Sequence, residues 1–150
     1  MIKEFSLKRD GKIKLSEHFK VKEFACKDGS DKILIDVNLI LLLEDIREYF
    51  STPITITSGY RTESYNRKVS NSTTSQHCFG KACDIIVSGI SPISVALLCE
   101  YNLMKNKGGI GLYIGQGFTH IDTREKMTRW IQPGNSSTYK TVDKISKYII

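Results

Sequence analysis

The chain has 150 residues, 40% of them hydrophobic and 25% charged, and carries a net charge of +6 with its histidines neutral. Such a chain can close one core without staples and has the composition of an ordinary globular domain. Its longest apolar run, 39–43, is far short of the about 20 residues of a membrane span.

The start, Met1-Ile2-Lys3-Glu4-Phe5, has neither the apolar core nor the cleavage site of a signal peptide, so synthesis in the cytoplasm is expected. Residues 1–14 are polar and basic, and read as a loosely held arm or a short edge strand. A short helical turn is expected from Leu15, with Ser16 as cap and Phe19 and Phe24 as its apolar contacts. Asp28-Gly29-Ser30-Asp31 is a turn.

The clearest helix spans 37–50 behind Asp36 as cap. Leu39, Leu42, Leu43, Ile46 and Phe50 recur on one face, while Glu44, Asp45, Arg47 and Glu48 crowd the other. Residues 53–57 alternate as a β-branched strand ending at Ser58-Gly59, and a short helix capped by Thr62 follows to Val69. The polar loop 70–74 leads into a strand over 81–87. Ser91 and Pro92 open a helix to about Met104, which Gly108-Gly109 breaks.

Residues 110–114 and 118–124 form a hairpin around Gly115-Gln116-Gly117, and 128–132 adds a last short strand. Beyond Pro133-Gly134 the chain is polar until Val142, then weakly amphipathic. With no repeat and no linker, 1–150 reads as a single domain with a core over about 15–132 and a tail over 133–150. Helices and hairpins in blocks predict an α+β fold, a small antiparallel sheet flanked by helices.

Two runs concentrate the chemistry. Ser75-Gln76-His77-Cys78-Phe79-Gly80-Lys81-Ala82-Cys83-Asp84 and Phe118-Thr119-His120-Ile121-Asp122 hold two of the chain's three histidines. A catalytic zinc ion takes three nitrogen or oxygen ligands and keeps a fourth position open. His77, Asp84 and His120 supply that set. Strand alternation puts Ala82, Asp84 and Ile86 on one face and Lys81, Cys83 and Ile85 on the other. On the later strand Phe118, His120, Asp122 and Arg124 share a face, with His120 and Asp122 roughly 7 Å apart.

Zinc lowers the pKa of a bound water towards neutrality and makes it a nucleophile. Asp122 is then the candidate general base, and Arg61, in Ser58-Gly59-Tyr60-Arg61, the candidate for binding a carbonyl or carboxylate. A closed structural zinc site of His77, Cys78, Cys83 and His120 competes with this reading, but alternation turns Cys83 away from Asp84. The blander alternatives are histidines satisfying core polar groups and Arg61 in a surface ion pair. Cys26, Cys78, Cys83 and Cys99 are expected as free, mostly buried thiols, and the isolated His18 as a surface residue.

The pattern Ser-x-His-x-x-Gly-x-Ala-x-Asp over Ser75 to Asp84, preceded by Ser58-Gly59-Tyr60-Arg61 and followed by His120, resembles the zinc D-Ala-D-Ala carboxypeptidase family. That family takes in peptidoglycan carboxypeptidases, D,D-dipeptidases and phage endolysins, and shares its fold with the Hedgehog signalling domain. The likeness runs from about Leu15 to Trp130 and includes Gly109-Ile110-Gly111-Leu112-Tyr113. It implies a Hedgehog-like peptidase fold, one zinc ion on His77, Asp84 and His120, and Arg61 polarising the scissile carbonyl. It also implies Ser75 and Gln76 as substrate contacts, with Tyr60 beside them. Many relatives carry a catalytic acid or base two or three residues before the last histidine; here those positions are Phe118 and Gly117, which cannot move a proton. Asp122 therefore stands as base, or else as a carboxylate that only orients a ligand.

The expected function is zinc-dependent hydrolysis of a peptide bond in bacterial peptidoglycan, by a D-Ala-D-Ala carboxypeptidase or an endolysin-type endopeptidase. The alternative is a metal-containing wall-binding module without catalysis. Lysines crowd both ends of the chain (Lys3, Lys8, Lys12 and Lys14; Lys140, Lys144 and Lys147) and suit an anionic partner such as nucleic acid, acidic lipid or a wall polymer. They are not interleaved with a stacking aromatic platform, so peptidoglycan peptides are the expected partner and nucleic acid is not. A monomer acting at the cell wall, after phage-mediated release, completes the expectation.

Overall fold

The computed structural model describes residues 1–135 and 138–149. Its first strand, β1 (Ile2–Ser6), pairs antiparallel with β2 (Lys32–Asp36) as a separate two-stranded sheet. The basic arm is thus the short strand of the two alternatives, joined through a one-turn helix, α1 (Leu7–Asp10), to the segment that follows. No helix forms at Leu15. The Leu15 and Ser16 amides both donate to the Phe19 carbonyl, at 2.8 and 3.4 Å, so the chain reverses there instead. The reversal buries Phe19 edge-on against Phe24, their ring centres 6.5 Å apart, and the helical turn comes later, as a 3-10 turn over Val21–Phe24.

Helix α2 (Val37–Phe50) runs over the expected residues. The Asp36 carboxylate accepts from the Asn38 amide at 3.3 Å, and Ser51 ends the helix in a left-handed conformation, its amide donating to Arg47. Its most buried face is Leu39, Ile40, Leu43 and Ile46, with Leu42 half-buried. Burying each of these side chains contributes about 2 kcal/mol. After α2 come β3 (Ile54–Ser58) and α3 (Glu63–Val69), which Thr62 caps, and then β4 (Ala82–Val87). Helix α4 (Pro92–Leu98) starts at Ser91 and Pro92 as expected but widens into a π-helical turn over Cys99–Leu103.

The main sheet is neither small nor wholly antiparallel. Strands β5 (Gly109–Tyr113), β6 (Phe118–Asp122), β7 (Thr128–Gln132) and β8 (Lys140–Val142) complete a six-stranded mixed sheet in the order β3-β4-β6-β5-β7-β8. β5 and β7 are parallel; the other neighbours are antiparallel. The reason is edge occupancy. β6 is already bonded on both sides, by β4 and β5, so the next strand must take the free edge of β5. The Gly108 amide donates to Arg124 and the Thr128 amide to Gly108, which carries the chain across.

One face of this sheet carries Cys83, Ile85, Ile110, Leu112, Ile121 and Ile131 into the core with α2 and α4. Cys83 therefore lies away from Asp84, as alternation predicts. The chain's last helix, α5 (Ile145–Ile149), places Ile145 in the same core, and the buried Glu100 carboxylate accepts from the Ile145 and Ser146 amides at 2.6 and 2.9 Å. No helix among the described residues is long and apolar enough to cross a membrane.

Between the 3-10 turn over Gln76–Phe79 and β4, Gly80 reverses the chain at φ +71°. A Cβ there would run into the Leu34 carbonyl of β2, whereas one at Gly89, also left-handed at φ +74°, would meet nothing within 4 Å. Gly80→Ala is expected to cost about 3 kcal/mol, strain plus overpacking, and Gly89→Ala about 1 kcal/mol, strain alone. Urea unfolding of the two variants checks the difference, and equal losses would refute the packing argument.

Candidate metal centre

The face opposite the core is organised in rows. Cα partners place Ser58, Asp84, His120, Gly111, Trp130 and Thr141 in one line across all six strands. A second line beside it holds Ala82, Asp122, Gly109 and Thr128. Two small positions make room: a Cβ on Gly109 would strike the Asp122 carboxylate, and one on Gly111 the Trp130 indole.

His77 reaches this face from the turn before β4. The Ser75 hydroxyl accepts from the His77 amide at 3.4 Å and caps the turn, and the His77 carbonyl accepts from the Arg61 amide at 3.1 Å. His77 Nδ1 lies 2.7 Å from the Gly59 carbonyl. A carbonyl only accepts, so Nδ1 carries the proton and Nε2 presents its lone pair towards Asp84, 3.4 Å away. His120 is fixed the other way round. Its Nε2 lies 2.8 Å from Asp122 Oδ2 and its Nδ1 lies 2.9 Å from Asp84 Oδ1. With the Nε2 proton given to Asp122, Nδ1 becomes the lone-pair donor.

One atom each of His77, Asp84 and His120 thus lies within 4.8 Å of the others, and all three residues are buried. The donor set could hold a metal ion and fits zinc: two neutral imidazole nitrogens and a carboxylate oxygen, each histidine anchored through its other nitrogen on an acceptor. No cysteine belongs to this cluster, and Cys83 is fully buried in the hydrophobic core.

The charges follow from the crowding. Burial pulls the His77 imidazole below its ordinary value. Burial acts the same way on His120, but hydrogen bonds to Asp122 and Asp84 outweigh it and push that group up to about 9. Burial opposes ionisation of Asp84, yet the two imidazoles hold its carboxyl well below the usual carboxylate range. Asp122 is likewise held low, against burial, by His120 and Arg124.

The residues singled out from sequence fall into three places. Arg61 joins the cluster, donating to Ser58 Oγ at 2.9 Å, Asn66 Oδ1 at 3.3 Å and Asp84 Oδ2 at 3.2 Å. Asp122 joins it too, but is fully buried with both oxygens occupied. Oδ1 accepts from the Gly109 amide and from Arg124 Nε, and Oδ2 faces His120 and an Arg124 terminal nitrogen. Ser75 caps the His77 turn, and Gln76 stands half-buried beside it. Tyr60 is buried at the edge of the core, its amide donating to the Phe24 carbonyl at 2.9 Å, and burial raises its phenol. His18 sits on Glu44, 2.7 Å away, on the far helix.

Trp130, Tyr113 and Arg124 belong to the site without having been assigned a role from sequence. Arg124 grips Asp122 with a two-pronged contact and lies 5.6 Å over the Trp130 ring. The available signal was the Gly-x-Gly of β5, which clears space for two partners on neighbouring strands.

With His120 charged and His77 neutral at pH 7, an ion taken up by this cluster displaces the His120 proton. Zinc binding to metal-free protein at pH 7 is expected to release at least about one proton per ion, one from His120 and a further fraction from ionisation of a zinc-bound water. Calorimetry in buffers of different ionisation enthalpy measures the count. Release of well under one proton per ion at pH 7 would mean that His120 is neutral in the metal-free protein.

With this geometry in hand, comparison with protein families gives one finding: the model of the peptidase M15 family matches residues 17–122. That span includes all three members of the cluster. No curated protein and no solved structure matches the chain.

Proposed function

The chain belongs to the peptidase M15 family, and from that membership we propose that it is a zinc peptidase that cuts a peptide bond in bacterial peptidoglycan. The observation that carries the reading is the His77, Asp84 and His120 cluster within the matched span. A metal-holding triad of nitrogen and oxygen donors is the arrangement of a catalytic site, not of a closed structural one. A zinc ion, when bound, supplies Lewis acidity and an activated water.

The chain's own residues divide the remaining work. His77 offers Nε2, His120 offers Nδ1 and Asp84 offers Oδ1 to the ion. Arg61 holds the other oxygen of Asp84 and so fixes how that carboxylate is presented. Its side chain keeps further N–H donors for a substrate carbonyl, the role the family likeness suggests. Ser75 acts through the backbone, by capping the turn that aims His77.

Asp122 is better placed to orient His120 than to serve as a base. A general base must reach the proton that it abstracts, and this carboxylate is enclosed by His120, Arg124 and the Gly109 amide. A carboxylate on the far nitrogen of a histidine fixes its tautomer and would raise its basicity towards a metal. The endolysin side of the family likeness would make it a phage lytic enzyme; whether it trims peptide ends or opens cross-links follows from the bond it cuts. An anionic wall suits a chain of net charge +6.

Purified peptidoglycan incubated with the protein is expected to release soluble peptides. Release should stop with a chelator, return with added zinc and be absent in His77→Ala. Mass analysis of the fragments identifies the bond. Walls of several chemotypes left intact by protein with one zinc bound would overturn the reading in favour of a wall-binding module. Asp122→Asn separates the two roles of that residue: an orienting carboxylate predicts zinc affinity lower by about 10- to 100-fold, whereas a base predicts unchanged affinity and lost turnover.

A further inference from the structure

Next to the metal cluster, on the same face of the sheet, is a group of aromatic side chains with no part in holding the ion. Gly111 is the cross-strand neighbour of His120, and the Trp130 indole fills the space that its missing side chain leaves. The indole ring lies 4.9 Å from the His120 ring. Its N–H donates to the Tyr113 hydroxyl at 3.0 Å. Tyr113 in turn stacks on Phe118 across the hairpin, ring centres 4.3 Å apart and planes 16° from parallel. The phenol is therefore held twice, flat against Phe118 and by its tip against Trp130.

That tip is where the chemistry lies. A hydroxyl that accepts the indole proton still has its own proton to give, and Tyr113 meets no acceptor for it among the described residues. Burial pushes the phenol up, so it stays protonated at neutral pH. Arg61 keeps N–H donors to spare, but the remaining polar groups of the site are committed: His77 to Gly59, His120 to Asp122 and Asp84, and Asp122 to Arg124 and Gly109. Strand alternation puts Tyr113 on the face of Gly111, the partner of His120, with Ile110 and Leu112 turned into the core, so the phenol is on the metal side of the sheet. Arg61 approaches from the β4 side and Tyr113 from the β5 side.

We propose that the Tyr113 hydroxyl, aimed by the Trp130 indole N–H, donates a hydrogen bond to the reacting carbonyl oxygen of the peptide substrate. The inference rests on the peptidase reading above and adds a catalytic residue to it. Its physical basis is preorganisation: a donor already locked in place needs no rearrangement as negative charge grows on that oxygen. Trp130 and Phe118 are positioning residues that supply the lock.

Tyr113→Phe keeps the stack and removes the hydroxyl, taking away the donor and also the acceptor of the Trp130 indole N–H. With zinc-loaded protein and a wall peptide that the wild type cleaves, kcat is expected to fall by about 100-fold, with KM changed by less than about threefold. A phosphinate analogue of that peptide, which carries a tetrahedral oxyanion, should bind the variant more weakly by a similar factor, while the cleaved product binds both proteins equally. Trp130 is the chain's one tryptophan, so its fluorescence follows both titrations without turnover. Trp130→Phe leaves the hydroxyl but not its aim, and should lower kcat by about 10-fold.

A Tyr113→Phe enzyme with kcat within about twofold of wild type, or one that loses product and analogue affinity alike, overturns the proposal and leaves the peptidase reading standing. Wild-type protein that neither cleaves wall peptides nor binds the analogue takes both down.

Discussion

Asp84 and His120 stand directly opposite each other in the antiparallel pairing of β4 with β6, and the geometry of the site depends on that register. Side chains on a strand alternate, so a slip of one residue would turn Asp84 into the core and bring Cys83 to the site face. The same register puts Gly111 beside His120 and Gly109 beside Asp122. Larger residues at either glycine would strike the indole or the carboxylate that occupies the space. A row of side chains across six strands thus fixes two of the three candidate ligands by backbone pairing alone. Only His77 comes from outside, on a turn held by Ser75, Gly80 and the Gly59 carbonyl.

Charge crowding is the counterpart of that precision. Asp84, Asp122 and two histidines are buried within hydrogen-bonding reach of one another. Buried charges are costly unless paired, and each of these is paired. Arg61 closes the network on one side and Arg124 on the other. In the metal-free protein the proton on His120 balances two carboxylates; its group, raised to about 9, is charged across the neutral range. A divalent ion replaces that proton with a stronger counter-charge at the same place. The cluster could therefore hold a cation, which would meet the two lone pairs that the contacts of Gly59 and Asp122 leave on His77 and on deprotonated His120.

Much of this was legible in the sequence wherever the signal was local. The helix over Val37–Phe50 has an uninterrupted apolar stripe and a cap, and it forms there. The His77 to Asp84 spacing, with Gly80 and Ala82 between, brought the two together as strand alternation requires. Pairings that cross the chain were less legible. Nothing local in Lys32–Asp36 marks it as the partner of the first strand. The parallel placement of β7 beside β5 follows from which edge is free, which only the assembled sheet reveals. That Asp122 faces Nε2 of His120, with Nδ1 turned to Asp84, is a detail two residues of sequence do not carry. Tyr113 and Trp130, 17 residues apart, meet only once that sheet is built.

The central claim is a single zinc ion held by His77, Asp84 and His120, and X-ray absorption at the zinc edge on stoichiometrically loaded protein tests it most directly. The account predicts nitrogen and oxygen scatterers at about 2.0–2.1 Å, two of them imidazoles, and no sulfur. It also predicts that this signature disappears in His77→Ala. A sulfur shell at about 2.3 Å, or a spectrum unchanged by that substitution, would place the ion elsewhere and contradict the account.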